Sequence, residues 1–295
     1  MNYRLPNRSF HATAVALLLF GPNQSVLADT LLSVDSIADT YLNSDPLLSN
    51  RDWSNFGSMQ ISANLANPEK GMNTPRTMDA LMAYDTAAVK SGFDAEFGAG
   101  NWHVTDVQVK WYSNYDILGI PAQNPQLNVP AAGLFNISLL AHSNWFDAAT
   151  AGDKGFANTD LNWNSVFGTD GAYSHLLDGV QVLGTYSYTG GEYNGGNNCV
   201  NEVCAPRFWD LGDNASLFNI IGNGGVLSLF GSAADSSVSY IVSQRSANGA
   251  HPQLFVSAAV GVAAVPLPAG VWLFFSGWLT LLGVSGRRHL PICSE

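Results

Sequence analysis

The sequence predicts an all-β domain, a sandwich or barrel set between two targeting segments. Three observations carry this reading. Short apolar runs with period-two alternation recur along the chain, clusters of Gly, Asn, Ser and Asp separate them, and long amphipathic helical patterns are absent. About 235 residues lie between the two targeting segments, enough for one sandwich or barrel or for two small domains.

At the N-terminus, Arg4 and Arg8 form a basic region, Ala12 to Phe20 an apolar one, and Val26-Leu27-Ala28 a small-residue cleavage site. That order is a secretory signal peptide over residues 1–28, with the mature chain starting at Asp29.

The strands follow in order. Ser58 to Ser62 and Ala80 to Tyr84 come first. In His103 to Tyr112, Val107, Val109 and Trp111 alternate with Asp106, Gln108 and Lys110, the pattern of a half-buried strand. Leu134 to Ala141 is continuously apolar and reads as a central strand. Val180 to Tyr188, Gly225 to Phe230, Val238 to Val242 and Gln253 to Val256 complete the set, with turn clusters such as Gly222-Asn223-Gly224-Gly225 between them. Ile117 to Pro130 and Gly190 to Asn198 read as long surface loops. Cys199 and Cys204, with four residues between them, lie at the edge of the second loop. In an oxidising compartment they form a local disulfide, a better reading than a metal site, since a lone pair without a neighbouring His supplies half a ligand set.

Residues 259–264 form a linker. Beyond them, Pro266 and Pro268 hold the chain extended. From Ala269 to Gly286 there is no charge, and about 18 apolar residues give roughly 27 Å of helix, enough to span a bilayer. Arg287 and Arg288 then act as a cytoplasmic stop, which puts the preceding chain outside the inner membrane.

The block Val265-Pro266-Leu267-Pro268-Ala269, the apolar run and the Arg287-Arg288 pair together resemble the VPLPA class of PEP-CTERM sorting signals of Gram-negative bacteria, over residues 265–289. The resemblance implies that an exosortase reads the prolyl motif, removes the tail, and releases the protein or attaches it at the cell surface. Residues 290–295 extend past the basic pair where that family usually stops.

The mature region is similar to the DNRLRE-type domain, a secreted jelly-roll β-sandwich related to carbohydrate-binding modules. The matching pieces, in order, are Ala38-Asp39-Thr40-Tyr41, Asn55-Phe56-Gly57, Ala80 to Asp85, Trp145-Phe146-Asp147, Leu161-Asn162-Trp163-Asn164, Ser243-Gln244-Arg245 and His251 to Val256. The self-naming motif of that family is not recognisable here. The resemblance implies a jelly roll over residues 29–258.

Charge narrows the partners. Removing both targeting segments leaves 8 basic against 22 acidic residues, a net charge of about −14. Such a domain has no electrostatic footprint for nucleic acid. Acidic residues gather at Asp35, Asp39, Asp45 and Asp52 and again at Asp153, Asp160 and Asp170; a structural calcium site is conceivable there, but without EF-hand spacing a solvated acidic surface is the simpler reading. No cofactor is expected.

Exposed aromatics beside amides suit the C–H faces and hydroxyls of sugars. Trp53, in Asn50 to Asn55, and Trp209, in Arg207 to Asp210, have that setting. Trp111 reads as core, and Trp145 and Trp163 as structural. His103, His142, His175 and His251 are scattered, and neither a Gly-x-Ser-x-Gly elbow nor an HExxH helix is present.

The expected function is therefore that of an exported, exosortase-sorted surface or extracellular protein, without catalysis, that binds or is embedded in extracellular polysaccharide. It touches the inner membrane only transiently, through the C-terminal helix. Alternatives are a matrix or adhesion protein without a glycan site and, further off, a polysaccharide lyase or hydrolase. A tag placed after Glu295 is expected to be missing from the surface-delivered protein in a host with an exosortase. Blotting for the tag and for the sandwich checks this.

Overall fold

The computed structural model describes residues 29–67, 72–112, 133–147, 157–158, 160–188, 207–245 and 251–261. The signal-peptide segment ending at Ala28, the Cys199–Cys204 pair, the motif Val265–Ala269 and the Arg287–Arg288 stop lie outside the described residues. Among the described residues no helix is long and apolar enough to cross a membrane.

The strands are β1 (Thr30–Asp35), β2 (Ala38–Asn43), β3 (Ser58–Asn67), β4 (Met72–Asp85), β5 (Trp102–Trp111), β6 (Gly133–Leu139), β7 (Gln181–Tyr188), β8 (Arg207–Asp210), β9 (Val226–Ala233), β10 (Ser239–Ser243) and β11 (Gln253–Val260). Among the described residues three helices join them, α1 (Ala87–Phe97), α2 (Trp163–Phe167) and α3 (Ala215–Gly222). One sheet has the order β1-β11-β5-β8, and the other β10-β3-β4-β9-β6-β7 with β2 paired to β4. Every pairing among the described residues is antiparallel, so the protein is a β-sandwich with few helices.

Alternation explains the inner face of the four-stranded sheet. Val107, Val109 and Trp111 of β5 and Leu254, Val256 and Ala258 of β11 are all fully buried. They meet Met59, Ile61, Met82, Tyr84, Phe135, Ile137 and Tyr240 from the larger sheet in one core. Trp111 sits at its centre, with ring centroids 5.8 Å from Phe135, 5.9 Å from Tyr240 and 6.4 Å from Trp209.

The middle of the larger sheet is buried on both faces, which accounts for the unbroken apolar run Ala80 to Tyr84, whereas at its β6–β7 end Leu134 and Val182 are exposed. Leu81 and Ala83 point away from the sandwich into a second core with Leu42, Trp145, Leu161, Val166, Leu176 and Phe230. The segment carrying Trp145 and α2 covers this outer face. Asn162 caps α2, its side chain accepting from the Ser165 amide while Ser165 accepts from the Asn162 amide.

Long amphipathic helices are not expected from the sequence, and the two amphipathic helices α1 and α3 are short, 11 and 8 residues. In α1, Val89 and Phe93 are buried and Phe97 is half-buried, a stripe at four-residue spacing. Leu217 and Ile221 form the same stripe in α3, whose N-cap Asn214 accepts from the Leu217 amide at 3.0 Å. The stripes are short, and each helix becomes stable only by packing on the sandwich. Strands β1, β2 and β8 are also absent from the sequence reading; β1 and β8 are edge strands of the four-stranded sheet, and β2 pairs with β4.

Buried polar groups tie three distant segments together. Gln244, fully buried, accepts from the Phe56 amide and donates to the Trp53 carbonyl. The Arg245 amide and the Ser36 hydroxyl both donate to Asp39.

Trp111→Ala is expected to cost about 3–5 kcal/mol, because it leaves a cavity between the sheets. Phe208→Ala, on the exposed face of β8, should stay within about 0.5 kcal/mol of the parent. Denaturant titration of both variants measures the contrast.

Candidate functional site

A cleft of about 680 Å³ opens where α1, α3 and the start of β5 meet. That volume lies in the range of small-molecule sites. Lys90 and Asp94 come from α1, Trp102, His103 and Val104 from β5, and Phe218, Asn219 and Gly222 from α3. Local sequence explains the convergence. Gly98 ends α1 with φ +86°, where a side chain would be strained, and the chain turns back so that Trp102 packs on Phe93 at 5.0 Å. Thr86, at the head of α1, donates from its hydroxyl to the Gly225 carbonyl just beyond α3 and so holds the two helices together.

The Trp102 ring is clamped. Its indole N–H donates to Asp94 at 2.8 Å, and the other Asp94 oxygen pairs with Lys90. These two partners hold the Asp94 carboxyl below the ordinary carboxylate range, first through Lys90 and then through Trp102. The result is a pre-oriented aromatic plane beside an ammonium, an amide and an imidazole. Such a set can pack a sugar's C–H face and bond its hydroxyls. Asp94 is a fixed anion with both oxygens occupied and is poorly suited to giving up a proton.

A second surface is the outer face of the four-stranded sheet, which no other described element covers. Phe208 is 50% exposed there, with its ring 5.5 Å from Phe255. Lys110 Nζ stands 4.7 Å from the Tyr112 ring, 5.6 Å from Phe255 and 5.9 Å from Phe208, and donates to Gln253. Gln253 in turn donates to Asp35 at 2.8 Å. Asp106 and Asp210 flank this face; burial, then Asp210 and Asp213, raise the Asp106 carboxyl above its ordinary value.

Neither tryptophan singled out from the sequence lies on an open face. Trp53 is 6% exposed, covered by Tyr41 at 4.9 Å, Phe56 at 5.1 Å and the Arg51 guanidinium at 4.3 Å. Trp209 pairs in register with the inward-facing Val109, so its ring goes into the core and Phe208 takes the solvent side. The cleft aromatics Trp102 and Phe218 were missed as site residues, since their meeting depends on two helices. The signal available was the pairing of Val89, Phe93 and Phe97 with Leu217 and Ile221, two apolar stripes that have to pack side by side.

Trp145 is fully buried, as its structural reading requires. The acidic runs do not form one surface. Asp39 is fully buried rather than solvated, Asp45 pairs with Arg76 at 3.2 Å, Asp52 caps Ser54, and Asp160 accepts from Tyr173. Asp153 lies outside the described residues. Among the described residues no three His, Cys, Asp or Glu side chains converge as a metal site would require. His142 and His175, far apart in sequence, stand with ring centroids 5.5 Å apart.

No family model matches the chain. No curated protein matches it. Among solved structures, a chain of Desmodium yellow mottle tymovirus aligns over 90% of this chain and 99% of its own, at 10% identity and a TM-score of 0.22. At that score the likeness carries no argument about fold or function.

Burial raises the carboxyls of Asp39 and Asp79 from their ordinary value near 3.8 to about 7. Each stays protonated in the folded protein until the pH nears about 7 but ionises in the unfolded chain above about pH 4, so its contribution is complete below about pH 4 and is lost as pH rises through about 7. The melting temperature is expected to fall across that window. Asp79→Asn should reduce the fall, with a higher melting temperature than the parent at pH 8 and little change at pH 4.5.

Proposed function

We propose that this is an exported, surface-sorted jelly-roll protein that binds extracellular polysaccharide without cleaving it. The observation that carries the binding reading is the cleft in which Asp94 and Phe93 fix the Trp102 ring beside Lys90, His103 and Asn219. Its ring plane and its donors are in place before a ligand arrives, so little side-chain entropy is lost on binding. The non-catalytic reading is supported by Asp94, which is held ionised by two donors and so lacks the raised carboxyl of a general acid.

The jelly-roll reading is supported by two antiparallel sheets whose neighbours are mostly far apart in sequence. The address rests on the sequence features: cleavage after Ala28, the Val265–Ala269 motif, the apolar helix and the Arg287–Arg288 stop. Exosortase is the processing partner, the inner membrane is touched in passing, and the destination is the surface or matrix of a Gram-negative bacterium. Cys199 and Cys204 close a local disulfide in this reading.

Gly222 offers a clean test. A Cβ built there meets nothing within 4 Å, and the residue lines the cleft, so Gly222→Phe fills the cleft while leaving the core contacts in place. The parent is expected to be retained by at least one polysaccharide on a glycan array, and Gly222→Phe to lose that retention with an unchanged melting curve. Retention that survives this substitution removes the cleft from the account. A folded parent that no polysaccharide retains leaves the matrix or adhesion reading, and release of reducing or unsaturated ends would make the protein an enzyme.

A further inference from the structure

Building on the glycan reading of the cleft, we infer that the ligand is an extended polymer without carboxylate or sulfate groups. It runs from the cleft along the outer face of β5 and is held at internal residues rather than by a chain end.

The argument begins with one strand. β5 carries Trp102 and His103 at the cleft and Lys110 near its far end, where Phe208, exposed, and Phe255, half-buried, stand beside it. Eight residues separate Trp102 from Lys110, roughly 26 Å at about 3.3 Å per residue. The two surfaces are continuous. His103 lines the cleft and pairs with Ala259, which places it in the same outward row of the sheet as Phe255 and Gln253. A chain lying in the cleft therefore has an open path from His103 past Gln108 to the aromatic pair.

The character of that path selects the ligand. Its aromatics, Phe208 exposed and Phe255 half-buried, are interleaved with amides and hydroxyls, so it offers both C–H contact and hydrogen bonds without a closed pocket at its far end. Asp35, Asp106 and Asp210 lie along it, against a single lysine whose ammonium is already held by Gln253 and three rings. Carboxylates this close repel a polyanion, so uronate-rich and sulfated chains are disfavoured. The same charges oppose a second copy of this face, which would set Asp against Asp.

Calorimetry on the exported protein tests the inference. The probes are neutral oligomers of glucose, mannose, galactose and N-acetylglucosamine, each from dimer to hexamer, with a polyuronate series of equal lengths. For the series that binds, affinity is expected to tighten by about tenfold or more from dimer to hexamer. Combining Phe208→Ala and Phe255→Ala should abolish that gain while leaving the dimer's affinity unchanged, and polyuronates should bind at least about tenfold more weakly than neutral chains. Gly222→Phe should remove all binding. A dimer bound as tightly as the hexamer overturns the inference and leaves the cleft reading intact, as does a polyuronate that matches or exceeds the neutral chains. Self-association abolished by Phe208→Ala, without any dependence on oligomer length, assigns the face to a protein partner and also overturns it. Failure of every series overturns this inference and the cleft reading together.

Discussion

Trp111 is the contact on which the rest of the structure depends. It is the large side chain of β5 that reaches from the four-stranded sheet into the other, where Phe135 of β6 and Tyr240 of β10 receive it. Trp209 closes the cluster, edge-on to Phe135 at 5.0 Å and 88°. Tyr186 of β7 packs on Trp209 and donates to the Asp210 carbonyl. Two sheet edges, β7 and β8, are thereby stitched together at one end of the sandwich. Aromatic groups in offset and edge contacts bury large areas with defined geometry, so this cluster sets both the spacing and the alignment of the sheets.

From that alignment comes an asymmetry. The middle of the larger sheet is covered on both faces, by the sandwich core inside and by the segment bearing Trp145 and α2 outside. Among the described residues the smaller sheet is covered on its inner face only, leaving Phe208 exposed and Phe255 and Lys110 half-buried on its outer face. One sheet serves as the support and the other as the presented surface. Helices α1 and α3 pack at the end of β5, where they create the cleft and join it to that surface.

Buried polar groups give the sandwich its uniqueness. Gln244 binds the segment around Trp53 and Phe56, while Asp39 takes donors from Ser36 and Arg245. These are the positions that stood out in the sequence as Ala38-Asp39, Asn55-Phe56-Gly57 and Ser243-Gln244-Arg245. The fragments were legible as patterns, but nothing local reveals that they meet. A buried carboxyl and a buried amide require specific partners, and those partners are supplied by chain segments about 200 residues away.

By itself the sequence determined most of the strands, the inward face of β5 and the central strand that begins at Leu134, because alternation and continuous apolar runs are local consequences of pleat and burial. Arg207 to Asp210 carries two adjacent aromatics, Phe208 and Trp209, which the strand β8 sets on opposite faces. Only the tertiary structure decided which of the two goes inward, through the pairing of Trp209 with Val109. Strand pairing likewise decided that Trp53 is covered, that Asp39 is buried, and that the cleft is built on Trp102. The physical reason is the same in each case. Periodicity assigns a residue to a face, but whether that face is buried depends on the partner laid against it, and such partners come from distant parts of the chain.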